Sequence, residues 1–290
     1  MTFHLPLHVE TLGRPQGPGV DTFLLIHGFG ASAFSWRYWA PRLAERGHVV
    51  LVDLKGFGSA PRPDDGRYGP HDHAELVHRL ILQRDLRELT IVGHSLGGGI
   101  SLLTALRLLD GGDTGGSRER LKRLVVVAGA AYPQKLPPFV PLARWPGLMS
   151  LAMRVVGARR IVRGVLRHIV YDAAAIHVGQ VEGYAYPLGE KGALPALFNT
   201  ARQVVPPDLE RIALRYPELD VPALLVWGAD DKVIPLWVGE RLDRDLPRST
   251  LVVLERCGHL PAEERWEDGW KAVAAFLDDS APATPPPSSR

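Results

Sequence analysis

Apolar residues in this chain fall into two kinds of pattern. Short, nearly unbroken apolar runs recur at Thr22 to Ile26, His48 to Val52, Leu89 to Val92, Leu121 to Val127, Ala223 to Trp227 and Thr250 to Leu254. Such runs, rich in β-branched residues and closed by turn signals, read as strands buried on both faces, the habit of a parallel sheet. Between them lie stretches of helical periodicity at Ala74 to Gln83, Ser95 to Leu109, Leu236 to Leu246 and Trp266 to Leu277. Strands alternating with helices predict an α/β fold built on a doubly wound, mostly parallel sheet.

The alternation stops between Ala131 and about Tyr216. There the chain turns rich in Pro, Arg and Ala, and two helical stripes stand out. Leu148, Leu151, Ala152, Val155 and Val156 form one; after Gly157, Ile161, Val165, Leu166 and Ile169 form the other. The expected organisation is a core over residues 1–130, an inserted helical lid over 131–216, a return to the core over 217–279 and a disordered tail over 280–290. Gly111 to Arg120 reads as a surface loop.

Composition narrows the function classes. With 290 residues the chain can bury a large core, and a formal net charge of +2 with acidic residues spread throughout argues against a nucleic-acid partner. The only cysteine is Cys257, so no internal disulfide can form, which agrees with a cytoplasmic location. The N-terminus carries no basic segment followed by an apolar run. No stretch reaches the ~18 apolar residues of a membrane span. The expectation is a soluble monomer or homodimer without a membrane partner. Arg144, Arg154, Arg159, Arg160, Arg163 and Arg167 would give the lid a basic outer face, read as solvated rather than lipid-binding.

The most informative segment is Gly93-His94-Ser95-Leu96-Gly97-Gly98, a G-x-S-x-G pattern directly after a strand and directly before a helix. A turn that sharp forces Ser95 into strained backbone geometry. It leaves no room for side chains at positions 93 and 97, and it raises the Ser95 hydroxyl above the strand ends. A serine hydroxyl is a weak nucleophile, so a base and an orienting carboxylate should accompany it. His259 follows the last strand. Two aspartates, Asp230 and Asp231, follow the strand before it. The spacing G-x-x-D-x-x-apolar-Pro selects Asp231, with Asp230 as a turn residue. An acyl-transfer site also needs donors for an oxyanion. The candidates are the backbone N–H groups of Leu96, just after the serine, and of Phe29, in the His27-Gly28-Phe29-Gly30 loop.

The other conspicuous polar residues have plainer readings. His27 braces its loop, Asp53 pins its turn, and His4, His8, His48, His71, His73 and His78 serve as surface or capping residues. No His, Cys, Asp or Glu set has metal spacing, so neither a metal nor a cofactor is expected. Substrate contacts are expected from Phe29, His94, Trp145, Met149 and Met153, around an apolar pocket.

The chain resembles the α/β-hydrolase superfamily over roughly Thr22 to Leu277. The likeness rests on His27-Gly28-Phe29-Gly30, Asp53-Leu54-Lys55-Gly56-Phe57-Gly58-Ser59, the Ser95 elbow, Gly228-Ala229-Asp230-Asp231 and Cys257-Gly258-His259. Glu264 is similar to the glutamate at the following helix start in that family, although the proline usual two places on is Trp266 here. Serine at the elbow implies the branch of esterases, carbon–carbon hydrolases, lactonases and cofactor-free haloperoxidases, rather than the aspartate-dependent epoxide hydrolases and dehalogenases. Phe29-Gly30-Ala31-Ser32 replaces the Ser-Gly-Pro-Gly loop typical of the carbon–carbon hydrolases. The implied function is therefore a carboxylesterase-like enzyme acting on a small-molecule ester. A receptor that binds a small ligand on the same fold without catalysis is the alternative of another class.

Overall fold

Residues that alternate along each strand go to opposite faces of one sheet, and this builds the three layers of the molecule. The computed structural model describes residues 4–111, 117–137, 140 and 145–279, without the side chains of Ser117, Arg118, Pro146, Leu148 and Met149. Phe23, Leu25, Val49, Leu51, Val125 and Val127 belong to one buried cluster. Their chain neighbours Leu24, Ile26, Val50, Val52, Leu124 and Val126 belong to the other.

The strands are β1 (His8–Gly13), β2 (Thr22–Ile26), β3 (His48–Asp53), β4 (Leu89–His94), β5 (Leu121–Val127), β6 (Ala223–Gly228) and β7 (Ser249–Leu254). They lie in the order β1-β3-β2-β4-β5-β6-β7, parallel except for β1 against β3. Before the insertion come helices α1 (Ala40–Arg46), α2 (Pro70–Gln83), α3 (Leu96–Asp110) and the short α4 (Ser117–Arg120). Between β5 and β6 come α5 (Pro146–Val155), α6 (Ala158–Ile169), α7 (Val178–Ala185), α8 (Ala193–Gln203) and α9 (Leu209–Ala213). After β6 come α10 (Leu236–Asp245), α11 (Pro261–Glu264) and α12 (Trp266–Asp279). Helices α1 and α12 cover one face of the sheet, with Trp36 and Trp39 filling the space between. Helices α2, α3 and α10 cover the other.

The β2 to β7 strands coincide closely with the apolar runs. Strand β1 has no such run. His8 and Val9 are half-buried and the next four residues are exposed, so its pairing with β3 leaves almost no hydropathy signal. Helix α2 begins at Pro70, earlier than its apolar stripe. Proline suits a first helical turn, and the Asp72 carboxylate accepts the Gly69 N–H at 3.1 Å. The expected Gly111–Arg120 loop closes in a helical turn instead. Arg120 is buried there because its guanidinium donates to Asp85 at 2.6 Å and to the Leu86 carbonyl at 3.2 Å. Residues 112–116 and the expected tail over 280–290 lie outside the described residues.

Within the insertion, α6 buries Leu166 and Ile169 as its stripe implies and half-buries Ile161 and Val165; Val162, outside that stripe, is buried too, while Arg159, Arg160, Arg163 and Arg167 face solvent. Helix α5 does not follow its stripe. Leu151 is 59% exposed, Val155 73% and Val156 44%. At 100° per residue the half-buried Met153 lies opposite Leu151 and Val155. It is Met153 that packs inward, beside the cluster of Val140, Phe198 and Ala201. Among the described residues no helix is long and apolar enough to cross a membrane.

Candidate active site

Parallel strands bring the chain ends that matter to one edge of the sheet. Register pairs Ile26 with Gly93, His94 with Val127 and Gly228 with Leu254, so the loops after β2, β4, β6 and β7 emerge side by side. Ser95 sits at the turn from β4 to α3 with φ 55° and ψ −118°. Such a conformation costs on the order of 1–3 kcal/mol for a non-glycine residue and must be held from outside. Ser95 N–H donates to the Val127 carbonyl at 3.0 Å. The Ser95 carbonyl accepts from Gly98 at 3.0 Å, Gly99 at 3.2 Å and Ala130 at 3.0 Å. The absent side chains are equally necessary. A Cβ at Gly93 would stand 2.2 Å from the Ser101 Oγ, and one at Gly97 2.3 Å from the Ile26 carbonyl.

Above the turn, a continuous hydrogen-bonded chain runs from Ser95 to Asp231. Ser95 Oγ lies 2.9 Å from His259 Nε2, and His259 Nδ1 lies 2.8 Å from Asp231 Oδ2. All three residues are buried. The other Asp231 oxygen accepts the N–H groups of Val233 at 2.8 Å and Ile234 at 2.9 Å. Both Asp231 oxygens are thus occupied, which orients the carboxylate and fixes the His259 tautomer with its proton on Nδ1. Asp230 is exposed and takes the turn position, its N–H donating to the Cys257 carbonyl at 2.9 Å. The structure brings Asp231 to His259 and leaves Asp230 outside.

Glu264 holds the histidine loop. One of its oxygens accepts Leu260 N–H at 2.9 Å; the other accepts Gly258 N–H at 3.0 Å and Tyr171 N–H at 2.6 Å. His259 N–H itself donates to the carbonyl of Ile169 at 2.8 Å. The insertion therefore touches the loop on both sides of the histidine. Burial pushes the Glu264 carboxyl up, against the three backbone donors that favour its charged form. Where the family's proline would stand, Trp266 stacks on Tyr38 at 5.4 Å and accepts the indole N–H of Trp39 through its carbonyl at 3.0 Å.

Phe29 and Leu96 both line the cavity beside Ser95, and their backbone N–H groups have no acceptor among the described residues. His27 braces the Phe29 loop: Nδ1 donates to the Gly28 carbonyl at 2.7 Å and Nε2 accepts Leu54 N–H at 3.0 Å. Asp53 accepts Ser59 N–H and Ala33 N–H, each at 2.7 Å, so it pins two loops rather than one. His94 lies inside the elbow, with Nε2 donating to the His259 carbonyl at 2.7 Å. Burial lowers its pKa to about 3, which keeps it neutral at ordinary pH. Cys257 is buried, and that burial pushes its thiol up, out of the range of a reactive thiolate. His73, expected at the surface, is fully buried between the rings of Phe57 and Tyr68; desolvation lowers its pKa to about 4.

A cavity of about 220 Å³ opens over Ser95. The inserted helices wall it with Met153, Ile161, Val165, Leu166, Leu194 and Leu197. Among the described lining residues there is no Lys, Arg, Asp or Glu. The three tyrosines in the wall direct their hydroxyls elsewhere: Tyr132 to Asp245 at 2.6 Å, Tyr216 to the Ala131 carbonyl at 2.8 Å, and Tyr184 to Glu263. Glu263 is buried and also takes Arg37 at 2.6 Å and Gln180 at 2.8 Å, tying the insertion to the core. Nothing in the sequence singled out Tyr184, Glu263 and Arg37, because their partners lie 79 or more positions apart.

Of the expected substrate contacts, Phe29, His94 and Met153 line this cavity. Trp145 does not: it stands at the N-cap of α5 and is 69% exposed. The side chain of Met149 lies outside the described ones.

Comparison with known proteins finds relatives along most of the chain. A model of the alpha/beta hydrolase family matches residues 23–275. An uncharacterized hydrolase of Bacillus subtilis, YugF, is 30% identical over 262 residues, covering 90% of this chain and 92% of its own. The 2-hydroxymuconate semialdehyde hydrolase of a Pseudomonas species is 27% identical, covering 94% and 92%. Among solved structures, a thermophilic esterase from Thermogutta terrifontis superposes with a TM-score of 0.73 at 22% identity, covering 94% of this chain and 93% of the other.

Proposed function

The chain belongs to the alpha/beta hydrolase family, and from that premise we propose that it is a serine hydrolase cleaving uncharged, apolar carboxylic esters through an acyl-enzyme on Ser95. The observation that carries the proposal is the unbroken Ser95–His259–Asp231 hydrogen-bond chain at the floor of an apolar cavity.

In the proposed cycle His259 Nε2 takes the Ser95 proton as Oγ attacks the ester carbonyl carbon. The N–H groups of Phe29 and Leu96 receive the oxygen that becomes negative; each such donor typically lowers the barrier by ~3 kcal/mol. The carbon–oxygen bond to the alcohol then breaks, and Nε2 returns the proton to the departing alcohol oxygen. A water, deprotonated by Nε2, attacks the acyl carbon and releases the acid and free Ser95. Asp231 keeps Nδ1 protonated and stabilises the transient imidazolium.

A carbon–carbon hydrolase reading has its own support, since the curated relatives include hydrolases of 2-hydroxymuconate semialdehyde and 2-hydroxy-6-oxo-2,4-heptadienoate. Those names describe carboxylates. A carboxylate drawn into a cavity with no cation among its described lining would be desolvated without a partner, at a cost of several kcal/mol. That asymmetry favours the neutral ester.

Labelling by a fluorophosphonate probe, with Ser95→Ala as the unlabelled control, tests the nucleophile. Turnover of p-nitrophenyl esters from acetate to decanoate, beside 2-hydroxymuconate semialdehyde and a neutral lactone, tests the substrate class. We expect labelling, and the highest kcat/KM on medium-chain esters. Absence of labelling would favour a binding protein. Preference for the ring-cleavage product would replace the ester reading with the carbon–carbon one.

A further inference from the structure

Helices α5 and α6 each present two contrasting faces, and the outward faces have no counterpart among the described residues. Inward, Met153, Ile161, Val162 and Val165 line the cavity. Outward, α5 exposes Leu151 and Val155, and Trp145, just before the helix, and Val156, just after it, are exposed as well. Directly after Gly157, α6 carries four arginines and no carboxylate. Arg159 pairs with Glu182 at 2.6 Å. Arg160, Arg163 and Arg167, at i, i+3 and i+7 on one exposed stripe, have no partner among the described residues; neither has Arg154 on α5.

From these exposures and charges we propose that the α5–α6 face is a docking surface for an anionic lipid bilayer, with Trp145, Leu151, Val155 and Val156 entering the headgroup boundary and the unpaired arginines engaging acidic headgroups. Exposed apolar side chains beside a row of unpaired cations make up the combination that interfacial helices use. A solvated helix face needs the arginines but gains nothing from Leu151 and Val155 in water. A second copy of this chain is the poorer occupant. A twofold contact through this face would set one arginine stripe against the other, with no carboxylate on α6 to separate them. The inference goes beyond the ester-hydrolase reading without depending on it. Were both true, the bilayer would deliver acyl chains to the opposite face of the helices that wall the cavity.

The test is flotation of the full chain with vesicles of phosphatidylcholine alone or with phosphatidylglycerol added, at low and high salt, scored by protein content and not by turnover. Binding to the anionic vesicles, weakened by salt, is expected. Each basic side chain near such a surface contributes about 1 kcal/mol, so the triple variant Arg160→Gln, Arg163→Gln, Arg167→Gln should lose partitioning on the order of a hundredfold. Leu151→Ser with Val155→Ser should lose roughly tenfold or more. Circular dichroism and thermal unfolding of these variants separate loss of docking from loss of fold. Equal binding by wild type and both variants would overturn the proposal, as would wild type remaining unbound at low salt. A salt-resistant dimer abolished by Leu151→Ser would assign the face to a second copy instead.

Discussion

The loops that carry Ser95, Asp231 and His259 and the helices that roof them are held by different forces. The loops are fixed by backbone hydrogen bonds. The Ser95 carbonyl accepts three N–H groups, Asp231 accepts two beyond its histidine, and Glu264 grips the residues on both sides of His259. Directional bonds of this kind place atoms to within a few tenths of an ångström, which proton transfer requires. The roof is held mainly by apolar contacts such as Leu166 and Ile169, with a few polar ties: the knot of Glu263 with Tyr184, Gln180 and Arg37, and the bonds of Ile169 and Tyr171 to the histidine loop. Apolar contacts tolerate changes of shape. On the proposed function, the chemistry would stay fixed in the sheet while the roof varies, and the choice of substrate would fall to the roof.

The sharpest way to break this comparison is to remove one atom's function from the rigid part. Asp231→Asn keeps the shape but presents an amide donor to Nδ1 and favours the wrong tautomer, so kcat should fall about 10⁴-fold. Asp230→Asn, one residue away and exposed, should leave kcat unchanged; steady-state kinetics on one ester compares the pair. A large loss at Asp230 would mean that the loop rearranges. In the roof, Val165→Trp would fill cavity space without touching the hydrogen-bonded chain. We expect kcat/KM for octanoate esters to drop roughly ten- to a hundredfold with acetate esters little changed. A uniform loss would show that the roof also positions the chemistry.

The smallest effect concerns the buried histidines of the core. Desolvation lowers His73 to about 4 and His94 to about 3, whereas both titrate near 6.5 in the unfolded chain. Above pH 6.5 both states are neutral and the two histidines contribute no pH dependence. As pH falls below 6.5 the unfolded chain binds protons that the folded one refuses, so stability declines by about 1.4 kcal/mol per pH unit for each residue, down to the folded pKa. Denaturant unfolding between pH 7 and pH 4 should show this slope, and His73→Leu should reduce it by about 1.4 kcal/mol per pH unit, leaving the share of His94. An unchanged slope in that variant would assign the acid sensitivity elsewhere.

Much of this was legible in the sequence, and particular residues show why. Strands β2 to β7 were visible because both faces are buried, and the elbow because its glycines and serine are fixed by local geometry. The neighbouring aspartates could be ranked, since turn spacing is a local property. Strand β1 was not visible, because it satisfies backbone groups at an edge without burying an apolar run. Helix α5 was visible as a helix, but its orientation was not: periodicity defines a stripe without saying what it faces.

Local chemistry written in consecutive residues determined the parallel sheet, the turn that raises Ser95 and the order serine, acid, histidine along the chain. Only the tertiary structure decided that Asp231 reaches His259 while Asp230 does not, that Glu264 clamps the histidine loop, and that Leu151 and Val155 look outward. Those outcomes depend on groups tens to hundreds of residues apart meeting in space, and hydrophobic and turn patterns carry no term for that distance.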